Sequence, residues 1–310
     1  MTAVVTGVAG FIGSHLAARL LSDGLTVLGV DCFTGYYDPA RKQANVEPLL
    51  AHPQFRLERR DLAVDELADL LGGASVVYHL AGQPGVRGSW GDGFETYARN
   101  NIIASQRLLE AMRGSGARLV FASSSSVYGD ADRYPTPEST LPRPSSPYGV
   151  TKLCSEQLVM AYVRSAGIDA RAVRYFTVYG PRQRPDMAFS RFIARASSGE
   201  PVDLYGDGEQ TRDFTFVSDA VDATIRAGSV DRPRDRIFNV GGGSRVTVRS
   251  VLTLLGDILG EPIAIREQPP QPGDVRDTGA DLTLASTQLG WRPLVRLEEG
   301  LRAQAAVARA

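Results

Sequence analysis

Apolar, β-branched runs alternate with stretches of helical period through the first half of the chain. "AVVTG" reads as a strand and 14–22 as a helix. "TVLGVD", "FRLERRD" and "SVVYHLA" read as three further strands. A helical stretch over 97–113 precedes the strand "ARLVFASS", and a long helix over 148–166 precedes the strand "DARAVRYF". This rhythm predicts an α/β fold with a doubly wound, mostly parallel sheet and helices on both faces. The second half is more broken, with Pro and Gly clustered in "YGPRQRP", "YGDGEQ", "VGGGS" and "QPPQPGD". A smaller, loop-rich C-terminal α/β lobe is expected there. Because 214–239 reads as a return to the main sheet, the lobe is expected to be discontinuous. The sheet domain would take 1–175 and about 213–240, and the lobe about 176–212 and 241–310.

Composition narrows the function. A net charge of −1 over 310 residues offers no basic field for nucleic acid or an anionic membrane. No apolar run reaches about eighteen residues, so no membrane span is expected. The opening "MTAVVTGVAGFIGSHLAARLL" lacks a charged leader and reads as structure rather than a signal peptide. Two cysteines, Cys32 and Cys154, imply no disulfide framework and fit a reducing cytoplasm. The histidines His15, His52 and His79 lack ligand spacing, so no metal site is expected. The charged stretch 231–236 reads as a solvated loop.

The candidate chemistry begins with "TGVAGFIG". It sets Gly7, Gly10 and Gly13 in G-x-x-G-x-x-G spacing between a strand and a helix. Glycines there allow a tight turn and close approach to a pyrophosphate, and the helix N-terminus adds free N–H groups. The second strand ends at Asp31, where an acid accepts from an adenosine ribose and repels a 2′-phosphate. No arginine follows at 32–34, which favours NAD over NADP. Asp61 and Leu62 end the third strand where adenine would lie. Leu80, Ala81 and Gly82 end the fourth and would let backbone approach the cofactor. Tyr148 and Lys152, at i and i+4, share one helix face. An ammonium near a tyrosine lowers its pKa, and the phenolate can then take a hydroxyl proton as hydride leaves the same carbon. A serine in the run "SSSSVYG" would hold the substrate oxygen.

Together these segments, with "HLAG", "YGVTK", "RYFTVYGP" and "GDGEQTRDF", resemble the extended short-chain dehydrogenase/reductases that act on nucleotide sugars. The resemblance covers essentially the whole chain. It implies a Rossmann domain holding NAD, a C-terminal lobe for a UDP-sugar, and a homodimer through paired helices. It implies further cofactor contacts at Phe11, Ile12, Cys32, Asn100, Tyr175 and Val178. Dehydratases of the family resemble "TDEVYG" and decarboxylases "TSEVYG", whereas Ser125 and Ser126 carry no carboxylate here. The pattern is similar to that of 4-epimerases and assigns the C4 oxygen to Ser124, with Tyr148 as base. "DCFTGYYDPARK", "PGVRGSW" and "RYFTVYGPRQRPDMAFSRFI" resemble UDP-glucuronate 4-epimerases. That likeness implies sugar contacts from Ser124, Ser125, Ser126, Tyr148 and Thr177, with charge for a carboxylate from Arg184 or Arg87. Arg212 and Arg276 match family positions that grip the UDP phosphates and ribose, and Arg191 is a further phosphate or sugar contact. A UDP-glucose or UDP-N-acetylhexosamine 4-epimerase, and a UDP-glucuronate decarboxylase, stand as alternatives.

Overall fold

The structure is a computed structural model and describes residues 1–309. Seven strands form one parallel sheet: β1 (Thr2–Thr6), β2 (Thr26–Asp31), β3 (Phe55–Arg59), β4 (Ala74–His79), β5 (Arg118–Ser124), β6 (Ala170–Tyr175) and, later in the chain, β11 (Ile237–Val240). Their order is β11-β6-β5-β4-β1-β2-β3, so the winding direction reverses between β1 and β4. That reversal opens a crevice at the carboxyl ends of the strands, the usual ligand position in such sheets. Helices cover both faces of the central strands, so these read as unbroken apolar runs such as Leu119, Val120 and Phe121, each at most 1% exposed. Each such side chain contributes about 1.5–3 kcal/mol by leaving water.

Three helices flank the first strands: α1 (Phe11–Ser22), α2 (Pro39–Leu50) and the short α3 (Phe94–Tyr97). A π-helical turn, Ala98–Ile103, leads into α4 (Ala104–Met112). The long α5 (Pro147–Ala166) has sharp local signals at each end. The Ser146 hydroxyl accepts from the Gly149 N–H at 3.1 Å, Pro147 supplies a preset φ, and Gly167 ends the helix at φ +69°.

Between β6 and β11 lie β7 (Val178–Tyr179), α6 (Ala188–Ser197), β8 (Val202–Tyr205), β9 (Thr211–Asp213), β10 (Thr215–Phe216) and α7 (Val217–Ser229). After β11 come β12 (Arg245–Thr247), α8 (Val248–Leu259), β13 (Ile265–Gln268), α9 (Thr283–Leu289) and α10 (Leu297–Arg309). The short strands pair as β7 with β10, β8 with β13, and β9 with β12. One buried cluster joins α1, α7 and the sheet, and a second joins α4, α5 and the opposite face. A third, around Phe189, Phe192, Leu204, Leu252 and Leu301, belongs to α6, β8, α8 and α10.

The stretch 231–236 is an irregular, largely exposed loop, as expected, with two of its charges paired. Asp231 bonds Arg118 at 3.0 Å, and Arg236 bonds Asp169 at 2.5 Å, a carboxylate also held by Arg118 and Arg171. Charges spaced closely in sequence have found partners on neighbouring strands. No helix among the described residues is long and apolar enough to cross a membrane.

Candidate active site

A cavity of about 420 Å³ opens at the carboxyl ends of the strands. Its floor begins with the turn from β1 to α1. Gly7 holds φ +71°, and a Cβ there would sit 2.7 Å from the Ala81 nitrogen. A Cβ on Gly13 would sit 2.2 Å from the Gly7 carbonyl oxygen. The turn therefore excludes side chains and leaves the α1 N-terminus, which has no side-chain cap, facing the cavity. Asp31 is 9% exposed, and its carboxylate accepts from the Ala9 N–H at 3.1 Å and the Phe33 N–H at 2.8 Å. The cradle and the acid form a donor and acceptor set that fits the pyrophosphate and ribose of a dinucleotide. Every position expected at the cofactor lines this cavity: Gly7, Gly10, Phe11, Ile12, Gly13, Asp31, Cys32, Asp61, Leu62, Leu80, Ala81, Gly82, Asn100, Tyr148, Lys152, Tyr175 and Val178.

The opposite wall carries the reactive groups. Ser124 ends β5, and its hydroxyl oxygen accepts from the Ser126 N–H at 3.1 Å, capping a short turn. Tyr148 lines the same wall of the cavity. Tyr97 packs edge-on against Tyr148, with ring centroids 6.1 Å apart. Lys152 follows one helical turn later, 8% exposed, with its Nζ 4.5 Å from the centre of the Phe121 ring. Burial pulls the ammonium down to about 8, against the opposing field of Glu156.

Burial and nearby groups act on Tyr148 in opposite senses. Burial pushes its phenol up, while the Ser124 hydroxyl and the charge of Arg184 pull it down. Arg184, brought in from a distant loop, is a cation that favours the phenolate. Arg184 forks onto Asp186 at 3.0 and 2.9 Å, and the Tyr36 hydroxyl donates to the same carboxylate at 3.3 Å.

Ser125, Ser126, Thr177 and Arg184 line the cavity with Ser124 and Tyr148. The other four expected arginines do not. Arg87 bonds Asp274 at 3.0 Å and lies 4.1 Å from the centre of the Tyr205 ring. Arg191 approaches that ring at 5.9 Å. Arg212 donates to the carbonyls of Val275 and Arg276, at 2.8 and 3.0 Å, and Arg276 bonds Asp207 at 3.0 Å. These groups sit on the 87–89 turn, β8 and the residues after it, α6, β9 and the 274–277 segment, outside the cavity lining. The arginine spacing in the sequence carries no information about that distance.

Sequence reasoning missed several lining residues: Tyr36, Tyr37, Lys42, Gln83 and Asn101. The "YYDPARK" segment was the available signal for the first three, since its Pro opens α2 behind a turn. Lys42 is 7% exposed and donates to the Thr34 hydroxyl at 2.9 Å. It and Lys152 are the two lysines of the sequence, and both line the cavity. Asn101 bonds the Gln83 carbonyl at 3.1 Å and the Thr151 hydroxyl at 2.9 Å, tying the π turn to α5.

Residues 3–241 match the model of the NAD dependent epimerase/dehydratase family. The chain belongs to that family. Among its members, the chain is 43% identical over 303 residues to a protein of Bacillus subtilis (strain 168) described as an uncharacterized UDP-glucose epimerase, covering 97% of this chain and 96% of that one. It is 35% identical to the UDP-glucuronate 4-epimerase of Thermodesulfobacterium geofontis (strain OPF15), over 96% of this chain and 93% of the other. The UDP-glucuronic acid 4-epimerase of Bacillus cereus, solved with UDP-glucuronic acid and NAD, superposes with a TM-score of 0.96 at 40% identity, covering 100% and 99% of the two chains. A family fold around a dinucleotide cradle accounts for the seven-stranded order and for the glycine turn.

Proposed function

We propose that the chain is an NAD-dependent UDP-sugar 4-epimerase whose substrate is UDP-glucuronate and whose product is UDP-galacturonate. The observation that carries the reading is the wall around Ser124. Ser125 and Ser126 line the cavity beside Ser124 and Tyr148, where elimination or assisted decarboxylation would call for a carboxylate. NAD in the glycine cradle would supply a hydride acceptor that returns the same hydride to the opposite face of C4. Ser124 holds the C4 oxygen. Tyr148, as phenolate, takes the O4 proton and gives it back after the 4-keto sugar has turned over. The Ser124 hydroxyl and Arg184 stabilise that phenolate. Asp31 receives the adenosine ribose, and Lys152 is available to the nicotinamide ribose.

A 4-keto uronic acid is a β-keto acid and loses CO2 when its carboxylate aligns with the ketone. Thr177, Ser125 and Ser126 offer short hydroxyl donors and Arg184, whose fork holds Asp186, a nearby positive charge, which together can hold the carboxylate out of that alignment. Arg87, Arg191 and Tyr205 suit the nucleotide end, and Arg212 with Arg276 the diphosphate. The reading divides the chain into a cofactor lobe, 1–175 with about 213–240, and a nucleotide-sugar lobe from the remainder. It pairs two copies across α5 and the π turn that leads into α4, where Val150 and Ile103 are 47% and 49% exposed. Unpaired Cys32 and Cys154 suit a cytoplasmic site.

The test is product analysis by NMR after incubation with UDP-glucuronate and NAD. UDP-galacturonate is the expected product, and a UDP-pentose would assign decarboxylation instead. Turnover of UDP-glucose but not UDP-glucuronate would favour the neutral-sugar reading that the Bacillus subtilis relative's name suggests.

A further inference from the structure

The last helix reaches the sugar side of the site through a buried chain of amides. Helix α10 buries one face, on which Leu301 and Ala305 are 0% and 3% exposed. Gln304 shares that face at 4% exposure, where an apolar residue is the usual choice. Its Oε1 accepts from the Gly180 N–H at 2.8 Å, and its Nε2 donates to Gln183 Oε1 at 2.8 Å. Gln183, 6% exposed, also accepts at Oε1 from the Ser190 N–H at 3.0 Å, and its Nε2 donates to the Val178 carbonyl at 3.1 Å. The backbone donors of Gly180 and Ser190 fix which end of each amide is oxygen. The chain of bonds therefore runs in one direction, from Gly180 to Val178, and both amides are held at each end.

We propose that Gln183 and Gln304 are positioning residues that set the sugar-facing loop 177–187 and, through it, the choice between epimerised and decarboxylated product. The role rests on the epimerase reading for its purpose but not for its contacts. Thr177, Val178, Arg184 and Met187 of this loop line the cavity. Gln183 precedes Arg184 directly and clips the Val178 carbonyl, so it closes 178–183 into a ring with Thr177 at one end and Arg184 at the other. Gly180 holds φ +138°, and a Cβ there would sit 2.8 Å from Val217 Cγ1, so the turn admits no side chain. Other ties of the loop lead to the cofactor side. The Pro181 carbonyl meets His15 Nε2 on α1 at 2.9 Å, and Asp186 receives the Tyr36 hydroxyl at 3.3 Å. Gln304 is the tie from the C-terminal helix. A leucine at 304 would pack that face as well, but an amide can accept from Gly180 and donate to Gln183 at once. Slack in the loop moves the Thr177 hydroxyl and Arg184 relative to the carboxylate they hold away from the ketone. When that alignment is lost, the bond from C5 to the carboxylate breaks and its electron pair passes into the 4-ketone as an enolate. CO2 leaves, a proton returns to C5, and C4 takes back its hydride to give the pentose.

The test uses the full chain saturated with NAD. Gln304→Leu removes both bonds of that amide at similar volume. With UDP-glucuronate, the ratio of UDP-pentose to UDP-galacturonate, read by NMR, is expected to rise by about tenfold or more. A substitution that only weakened the fold would lower total turnover and leave the ratio unchanged, because each folded molecule would partition as before. An unchanged ratio in active Gln304→Leu enzyme would overturn the proposal. If that variant does not fold, Gln183→Met cuts the chain of bonds from the other side, keeps the Gly180 bond to Gln304 and carries the same two outcomes. Hydrogen exchange is measured alongside, with no sugar present. The 180–187 segment of Gln304→Leu should exchange about tenfold faster than that of the wild type, and exchange at the wild-type rate would also overturn the proposal. Absence of UDP-glucuronate turnover by the wild type would count against the substrate reading, and the exchange rate alone then decides whether the pair holds the loop.

Discussion

His79 makes the most demanding test of the electrostatics. It is 1% exposed, at the end of β4. Its Nε2 lies 3.0 Å from the Ser105 hydroxyl oxygen, whose own proton goes to the Asn101 carbonyl at 2.5 Å. Its Nδ1 lies 2.8 Å from the Thr6 hydroxyl, which also accepts from the Ala81 N–H at 3.2 Å. The network assigns the proton to Nε2 and leaves Nδ1 as acceptor, so the neutral ring is fully satisfied. Burial, then Lys152, lowers the pKa from 6.5 to about 3. Below 6.5 the unfolded chain takes a proton that the folded chain refuses. Stability therefore falls as pH drops, by about 1.4 kcal/mol per pH unit. Between about pH 7.5 and pH 5 only the part below 6.5 counts, which gives about 2 kcal/mol.

Asp213 acts in the opposite sense. Burial raises its pKa from 3.8 to about 6, against bonds from the backbone N–H groups of Ala280 and Gly242. The folded state then binds the extra proton, so stability rises by about 1.4 kcal/mol as pH falls from 6 to 5. In the wild type the two groups nearly offset each other. His79→Gln keeps polar ends but does not titrate. Its unfolding free energy relative to wild type should improve by about 2 kcal/mol between about pH 7.5 and pH 5, measured by urea denaturation followed by circular dichroism. Parallel curves for the two proteins would refute the assignment of a neutral, protonation-resistant His79.

Three other outcomes follow from the same geometry. Gly13→Ala drives a methyl group onto the Gly7 carbonyl, so the melting temperature should fall by an amount equivalent to about 1–3 kcal/mol, and calorimetry should show loss of NAD binding. Tyr148→Phe should lower kcat by about 10²–10⁴-fold with NAD affinity unchanged, checked by turnover assay beside calorimetry. Arg174→Met leaves Glu156 buried without its partner, and urea unfolding should show a loss of about 3–5 kcal/mol.

Much of the cofactor half was legible because its chemistry is local. Gly7, Gly10 and Gly13 lie within one turn, and Asp31 ends a strand that the apolar pattern marks clearly. Tyr148 and Lys152 are one helical turn apart. The long helix was expected at 148–166 and starts at Pro147, a difference of one capping position. By contrast α2 gives a weak pattern, with Pro48 inside it and few buried positions besides Val46 and Leu49. The π turn at Ala98–Ile103 has no periodic signature, yet it carries Asn100 and Asn101 into the site. Arg184 shows the deeper limit. It reaches Tyr148 from a distant loop, and its influence depends on distance and burial, which residue spacing does not record. For the same reason Arg87, Arg191, Arg212 and Arg276 could be named from the sequence but not set relative to the cavity.

The economy of lysine has a practical side. Arginine supplies nearly all the positive charge, and both ε-amines are sunk in the cavity, at 7% and 8% exposure. Reagents aimed at amines would therefore reach the lysine side chains of this molecule only through the cavity.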